Sequence, residues 1–553
     1  MGENLLLAVR GSTGMFVRRG LTNPTVVLKE DEDAKKKAVR VFAFSNSGQY
    51  FAYCDSQRTV LVETASGREV FSEALPRTTS FAFSPRDRIC VTYEPYVIYG
   101  ARTNDDGTPR KPQPNLRFWS LTDGRLLTTM VANKSACWRP QWTEDEGSAM
   151  RLVGSELLVY KNNNFDRFVK RLLLKDAQSF EISPGATNQY ISSYVPATGN
   201  APALVQLRHF DDHLSQVGSK TFFKCDRVVM KWNTKGSAVL VMSVTDVDAE
   251  NKSYYGESTL FLMTTSGDSC LVTVDKQGPV YGVEWNPNGK EFTVCYGFMP
   301  ARIAVYNLKG EIVWDLGSGH LNEIHYNRFG NILLTCGFGN LSAGKMDFYN
   351  VDERKLIVSI NVPNTTLFAW APDGQHFVTA QTAPRLRFEN GYRIWHYTGK
   401  LIYENICAEK EELWQAIWRP LHSDVLTRFK IPQLTAEQKA QAGLVIKGTT
   451  ANGSTSLNIA SGSVVKKGGY VPPHLRKGTN GTGALKPVGA PLVVKPTISE
   501  EEKKMKNLQK KIDEIQKLKA KVDAGEVLQK NQLAKIDKQD EYVTELAALK
   551  LTT

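Results

Sequence analysis

One short phrase recurs nine times between Phe44 and Trp418: a large apolar residue, then a polar residue, often Pro, then usually a turn with Gly. The instances are Phe44-Ser-Asn-Ser-Gly48, Phe83-Ser-Pro-Arg-Asp87, Trp138-Arg-Pro140, Ile182-Ser-Pro-Gly185, Trp232-Asn-Thr-Lys-Gly236, Trp285-Asn-Pro-Asn-Gly289, Tyr326-Asn-Arg-Phe-Gly330, Trp370-Ala-Pro-Asp-Gly374 and Trp418-Arg-Pro420. Successive anchors lie 39 to 55 residues apart, about 47 on average, which is the length of one four-stranded propeller blade. Pro fixes φ, and Gly or Asn accepts positive φ. Each phrase therefore reads as a tight hairpin whose anchor ends a strand and packs between blades.

Apolar runs follow the anchors, such as Phe292-Thr-Val-Cys-Tyr296 and Phe377-Val-Thr-Ala380, as expected of strands covered on both faces. A second phrase keeps step with the first. Leu116-Arg-Phe-Trp-Ser120, Ile303-Ala-Val-Tyr-Asn307, Asp347-Phe-Tyr-Asn350 and Arg393-Ile-Trp-His396 each precede a further turn and strand. The expected fold is all-β, a WD40-like β-propeller of nine blades over residues 1–430. A strand near Leu5 to Val9 is expected to close the ring by pairing with strands near Trp395 or Trp414.

Beyond Pro432 the composition turns to Gly, Ser, Thr, Pro and Lys, and residues 439–499 hold eight Lys or Arg and no acid. Such a stretch buries too little apolar surface to offset its ordering entropy, so 431–498 reads as a flexible basic linker. Over 499–553, Ser499 and Glu502 form a capping box. Met505, Leu508, Ile512, Ile515, Leu518 and Val522 then recur at helical spacing. Asp523-Ala-Gly525 interrupts this helix, and a second stretch through Leu549 suggests a Lys-rich helical hairpin. Residues 431–553 carry 20 Lys and Arg against 12 Asp and Glu, a net +8 of the chain's +12. A Lys-rich face can be no more than a solvated helix surface. The adjoining acid-free linker favours phosphate binding through counterion release instead. The candidate RNA and ribosome contacts are Lys466, Lys467, Arg476 and Lys477 in the linker, and Lys503, Lys504, Lys510, Lys511, Lys517, Lys519 and Lys521 around the first helix.

Eight cysteines are scattered with no CxxC pair and read as reduced core thiols of a cytoplasmic protein. The start lacks a cationic flank and a sufficient apolar run for a signal peptide, and no stretch is long enough to span a membrane. Gly339-Asn-Leu-Ser-Ala-Gly344-Lys345-Met346 approaches a phosphate loop, but Met346 stands where Ser or Thr must hold magnesium, and the following run reads as strand. His209-Phe-Asp-Asp-His213 has the histidine spacing of a zincin, with Phe210 in place of the catalytic Glu. No catalytic residue, metal or cofactor is expected.

Within the linker, Tyr470-Val-Pro-Pro-His-Leu475-Arg476 is similar to Tyr-x4-Leu-hydrophobic peptides that bind the messenger cap-binding factor. Arg476 departs from that pattern, and Tyr470 and Leu475 are its candidate partner contacts. The propeller phrases, the opening Leu5-Leu-Leu-Ala-Val-Arg-Gly-Ser-Thr-Gly14, this linker motif, Lys511-Ile-Asp-Glu-Ile-Gln-Lys-Leu-Lys519 and Asn531-Gln-Leu-Ala-Lys-Ile536 together resemble the eukaryotic translation initiation factor 2A family over nearly the whole chain. That resemblance implies a nine-bladed propeller with a helical C-terminus, guiding initiator methionyl-tRNA to the small ribosomal subunit without GTP. The partners expected are the small subunit, initiator methionyl-tRNA, mRNA and other initiation factors, with no membrane. The alternative is a propeller scaffold for protein contacts in translation regulation without direct RNA binding. Salt dependence of RNA affinity separates the two.

Overall fold

A computed structural model describes Gly2–Gly443 apart from 30–38, 98–111, 134–137, 186–188, 200, 224, 246–255, 340, 341, 343 and 423–425, together with Ile515. Among the described residues, thirty-six strands, β1 to β36 in chain order, form nine four-stranded antiparallel sheets, the blades of a β-propeller. Eight blades are sequential meanders. Their innermost strands are β4 (Val41–Phe44), β8 (Ser80–Phe83), β12 (Gln141–Trp142), β16 (Ser179–Ile182), β20 (Arg227–Trp232), β24 (Val280–Trp285), β28 (Glu323–Tyr326) and β32 (Leu367–Trp370).

The ninth blade closes the ring. The last strand, β36 (Leu413–Trp418), is its innermost member, and the chain's first three strands, β1 (Leu6–Gly11), β2 (Gly14–Arg19) and β3 (Thr25–Lys29), complete it outward. Leu7 pairs with Trp418 and Val9 with Ala416. The closing partner is thus the Trp414 strand. Trp395 lies instead on β34 (Gly391–His396), inside the eighth blade, fully buried, with its indole N–H on Thr379.

Eight of the nine expected anchors end an innermost strand. The third does not. Trp138 precedes the strand and stacks on Tyr93, and the anchor of that blade is Trp142, which ends β12. Its turn, Thr143-Glu-Asp-Glu146, lacks both Pro and the usual Gly.

Side chains of an innermost strand alternate between the two neighbouring blades, because successive Cβ atoms leave opposite faces of a sheet. Anchors point back. The indole N–H of Trp285 donates to the Lys231 carbonyl at 2.8 Å, that of Trp418 to Ala369 at 3.2 Å and that of Trp370 to His325 at 3.4 Å. Each acceptor is the residue just before the preceding blade's anchor. That residue in turn points forward: Lys231 Nζ donates to the Val283 carbonyl at 2.8 Å, and Glu284 accepts from the Tyr326 N–H at 3.1 Å. Gln141 does both, donating to Phe180 O and accepting from Ile182 N. Apolar packing crosses the same junctions, as where Phe348 of the seventh blade meets Phe377 and Trp370 of the eighth.

The turns after the anchors interlock as well. Asn233, Asn286 and Asn327 are buried, and each donates its amide to the glycine carbonyl of the next blade's turn, at Gly289, Gly330 and Gly374. At the ring closure Arg419 takes the Asn position and donates to Gly48 O at 2.7 Å. In the second and third blades the fourth residue after the anchor is acidic at positive φ, Asp87 (54°) and Glu146 (58°). Their carboxylates then accept from the preceding turn's backbone, from Asn46 and Ser47 and from Arg86. Glycine is needed elsewhere for two reasons at once. Gly236 has φ of 64°, and a Cβ there would stand 2.1 Å from Pro184 O.

After Trp418 the chain crosses blades seven and eight as a strap. Arg328 donates to Leu421 O, Asn331 to Phe429 O at 2.9 Å, and Arg428 pairs with Asp352. Phe429 stacks on Tyr397, and Ile431 is buried in the cluster formed by those two blades. Thr435 caps the short helix α1 (Ala436–Gln441) in a reciprocal capping box with Gln438. The Gly443 N–H then closes on Gly399 O at 2.8 Å. Packed backbone therefore continues through Gly443, thirteen residues past the expected boundary at 430, because Phe429, Ile431 and Leu434 have an apolar seat to fill. The chain clusters into two units, Met1–Ser463 and Val464–Thr553. Of the second, Ile515 is described, helical and buried, in keeping with its place in the apolar stripe.

Candidate nucleic-acid interface

In a four-stranded meander the first and third turns emerge on one side of the blade. The face carrying the post-anchor turns is the best candidate surface of the propeller. Five of these turns present cations: Arg86 and Arg88 share one, Lys235, Lys290, Arg328 and Arg419 stand on the others, and Arg19 joins them from the third turn of the closing blade. All are exposed except Arg419, which is half-buried. Burial, then the neighbouring Arg19, holds the Arg419 guanidinium below its usual range, as expected where like charges gather.

The acids of the same ring are mostly consumed by structure. Asp87 and Glu146 are buried and hold the neighbouring turns, and Asp373 is buried against His376. Exposed acids remain in the third blade, at Glu144 and Asp145. Farther from the axis the signs are mixed, with pairs such as Arg68 to Glu63 and Arg428 to Asp352. The exposed charge on the post-anchor turns is therefore mainly positive outside the third blade. A cleft of about 470 Å³ is lined by Asn46, Phe83, Arg139, Gln141, Trp142 and Glu181 among others. Desolvation against the cleft wall raises the Glu181 carboxyl despite the Arg139 charge nearby, although the residue keeps an exposed side.

The strap ends on this same face. Its partners Phe329 and Asn331 flank a post-anchor turn, and Asp352, Tyr397 and Gly399 belong to third turns. Lys439 and Gly443, at the start of the acid-free stretch, are thus fixed on the cationic side of the disc.

Lys466, Lys467, Arg476, Lys477, Lys503, Lys504, Lys510, Lys511, Lys517, Lys519, Lys521, Tyr470 and Leu475 all lie outside the described residues. The turn cations were passed over in the sequence because each sits singly in its repeat. The signal was their common phase, two to five residues after the anchor or, for Arg419, directly after it. The two catalytic look-alikes have local explanations. Lys345 opens the strand β30 (Lys345–Asn350), where a phosphate loop leads into a helix, and pairs with Asp347 at 2.8 Å. His209 ends the strand β18 (Ala203–His209), its ring edge-on to Tyr190. The seven described cysteines are free thiols, and no helix among the described residues is long and apolar enough to cross a membrane.

The family model described as eukaryotic translation initiation factor eIF2A matches residues 220–416. A Caenorhabditis elegans protein described as eukaryotic translation initiation factor 2A is 44% identical, aligned over 99% of this chain and 100% of its own length. This chain belongs to the eukaryotic translation initiation factor 2A family. A Drosophila melanogaster relative of the same description is 31% identical, with 93% of each chain covered. A solved structure described as a crystal structure of the eukaryotic initiation factor is 29% identical with a TM-score of 0.66, covering 76% of this chain and all of that one. Membership supports a role as a translation initiation factor.

Proposed function

We propose that the protein is a non-enzymatic initiation factor that binds the small ribosomal subunit and guides initiator methionyl-tRNA to it without GTP. The propeller is a rigid disc whose turn cations hold RNA phosphates, and the basic segment beyond Gly443 holds a second stretch of RNA. Tethering the two raises the local concentration of one RNA near the other. The observation that carries this reading is the common placement: the exposed turn cations and the strap's end occupy one face of the propeller.

The test is small-subunit and initiator-tRNA binding across a salt series. Each lost phosphate contact should flatten the slope of log affinity on log salt by about 0.7 to 0.9. The Arg86, Lys235 and Lys290 triple glutamine variant should lower affinity and flatten the slope. So should the Lys510, Lys511, Lys517 and Lys519 quadruple variant. Absence of measurable RNA binding by the intact chain would favour the protein scaffold instead.

A further inference from the structure

The wall between the seventh and eighth blades holds a group of side chains with no part in the RNA reading. Glu323 and His325 are two residues apart on β28, so they leave the same face of the strand. Cys336, on β29 (Ile332–Cys336), sits opposite Glu323 in the antiparallel register. The face is the one turned to the eighth blade, since the His325 ring lies 4.9 Å from that of Phe368 on β32. One carboxylate oxygen of Glu323, one imidazole nitrogen of His325 and the Cys336 sulfur all lie within 4.8 Å of one another. His325 Nε2 is 3.2 Å from Glu323 Oε2.

We infer that Glu323, His325 and Cys336 form a binding site for a divalent transition metal, with zinc the best match. A thiolate, an imidazole and a carboxylate are the three donor types zinc takes. Bond lengths of about 2.0 to 2.3 Å put tetrahedral ligand atoms about 3.4 to 3.7 Å apart. The group is therefore within about an ångström of coordinating geometry. The adjustable members are the outer ones: the Glu323 and His325 side chains are 40% and 30% exposed, while Cys336 is fully buried. That exposure also leaves a path for the ion and room for a water as fourth ligand. Binding forms the metal–sulfur bond as the thiol proton leaves to solvent, so affinity rises with pH. Burial raises the Cys336 thiol well above its usual range, so displacing its proton costs affinity at neutral as well as acidic pH. Asn322 braces the arrangement by donating to Phe338 O and accepting from its N–H, and the His325 carbonyl is held by the Trp370 indole.

Cobalt(II), which takes the same ligands and reports on them optically, is the probe. The full-length protein, stripped with a chelator, is titrated with cobalt and then back-titrated with zinc. One equivalent should give a thiolate-to-cobalt charge-transfer band in the near ultraviolet, and zinc should abolish it. Cys336→Ser should lose the band, whereas Cys295→Ser, which removes another buried thiol, should keep it. Should Cys336→Ser fail to fold, His325→Asn and Glu323→Gln alter only the more exposed members. Each should weaken cobalt binding by about tenfold or more. No band in the intact protein, a band that survives Cys336→Ser, or unchanged affinity in both outer variants would overturn the assignment.

Discussion

At the scale of single residues, the anchors divide by burial and bonding. Trp285 is buried, with a 2.8 Å bond to the preceding blade, while Trp370 is half-buried with a longer one. Trp285→Ala should cost about 3 to 5 kcal/mol in denaturant unfolding and Trp370→Ala measurably less. A second residue-level effect concerns acid. Burial, then the neighbouring His376, lowers His396 to about 4, so at neutral pH the folded ring is uncharged. The unfolded ring takes its proton near pH 6.5, and the unfolded state therefore binds more protons between about pH 6.5 and 4. Stability falls as pH drops through that window. Asp373 extends the loss below that window: burial alone would raise its carboxyl, but His376 and backbone N–H groups hold it below the usual range, so its contribution goes as pH falls below about 4. Thermal melts of His396→Gln from pH 7 to 4 should show a shallower decline than the parent. An equal decline would remove His396 as a cause.

At the scale of elements, the turns explain what the sequence showed and what it hid. The phrase located eight innermost strands because Pro and Gly act through local φ, which a sequence displays directly. It misplaced the third because Glu146 takes the glycine's positive φ and hydrogen-bonds the second blade's turn, a tertiary compensation with no local mark. The same geometry gives a graded prediction. Gly236→Ala, at positive φ with a carbonyl in the way, should cost well over the ~1 kcal/mol expected for φ strain alone. Gly154→Ala has φ of 63° with open space around it and should cost about that smaller amount. The end of the strap, residues 431–443, was read as linker because the composition beyond Pro432 turns to Gly, Ser, Thr, Pro and Lys. The order of these residues comes from the seat between blades seven and eight, which composition does not display.

At the scale of the whole molecule, ring closure and the nine-fold count were legible, since one repeated phrase encodes both. The interface was legible only as charge. The tail announced itself by an acid-free basic stretch, whereas the cation-bearing turns are separated by dozens of residues and converge only once the ring is built. Truncation separates the contributions. Ending the chain after Gly443 should leave the melting temperature of the propeller unchanged while weakening RNA binding. Ending it after Leu421 removes the strap and should cost at least about 3 kcal/mol, by exposing the seat of Phe429, Ile431 and Leu434.

The closing blade also sets a timetable. β1 is synthesised some four hundred residues before the strand it needs on its inner edge. Until then β1 to β3 form a sheet with a bare inner edge of buried-type residues, Leu6 to Val9, open to mispairing with other strands or chains. The ring is finished from its last strand backward. A nascent chain of this protein must wait for, or be chaperoned until, the moment when Leu413 to Trp418 can slide in beside a strand made some four hundred residues earlier.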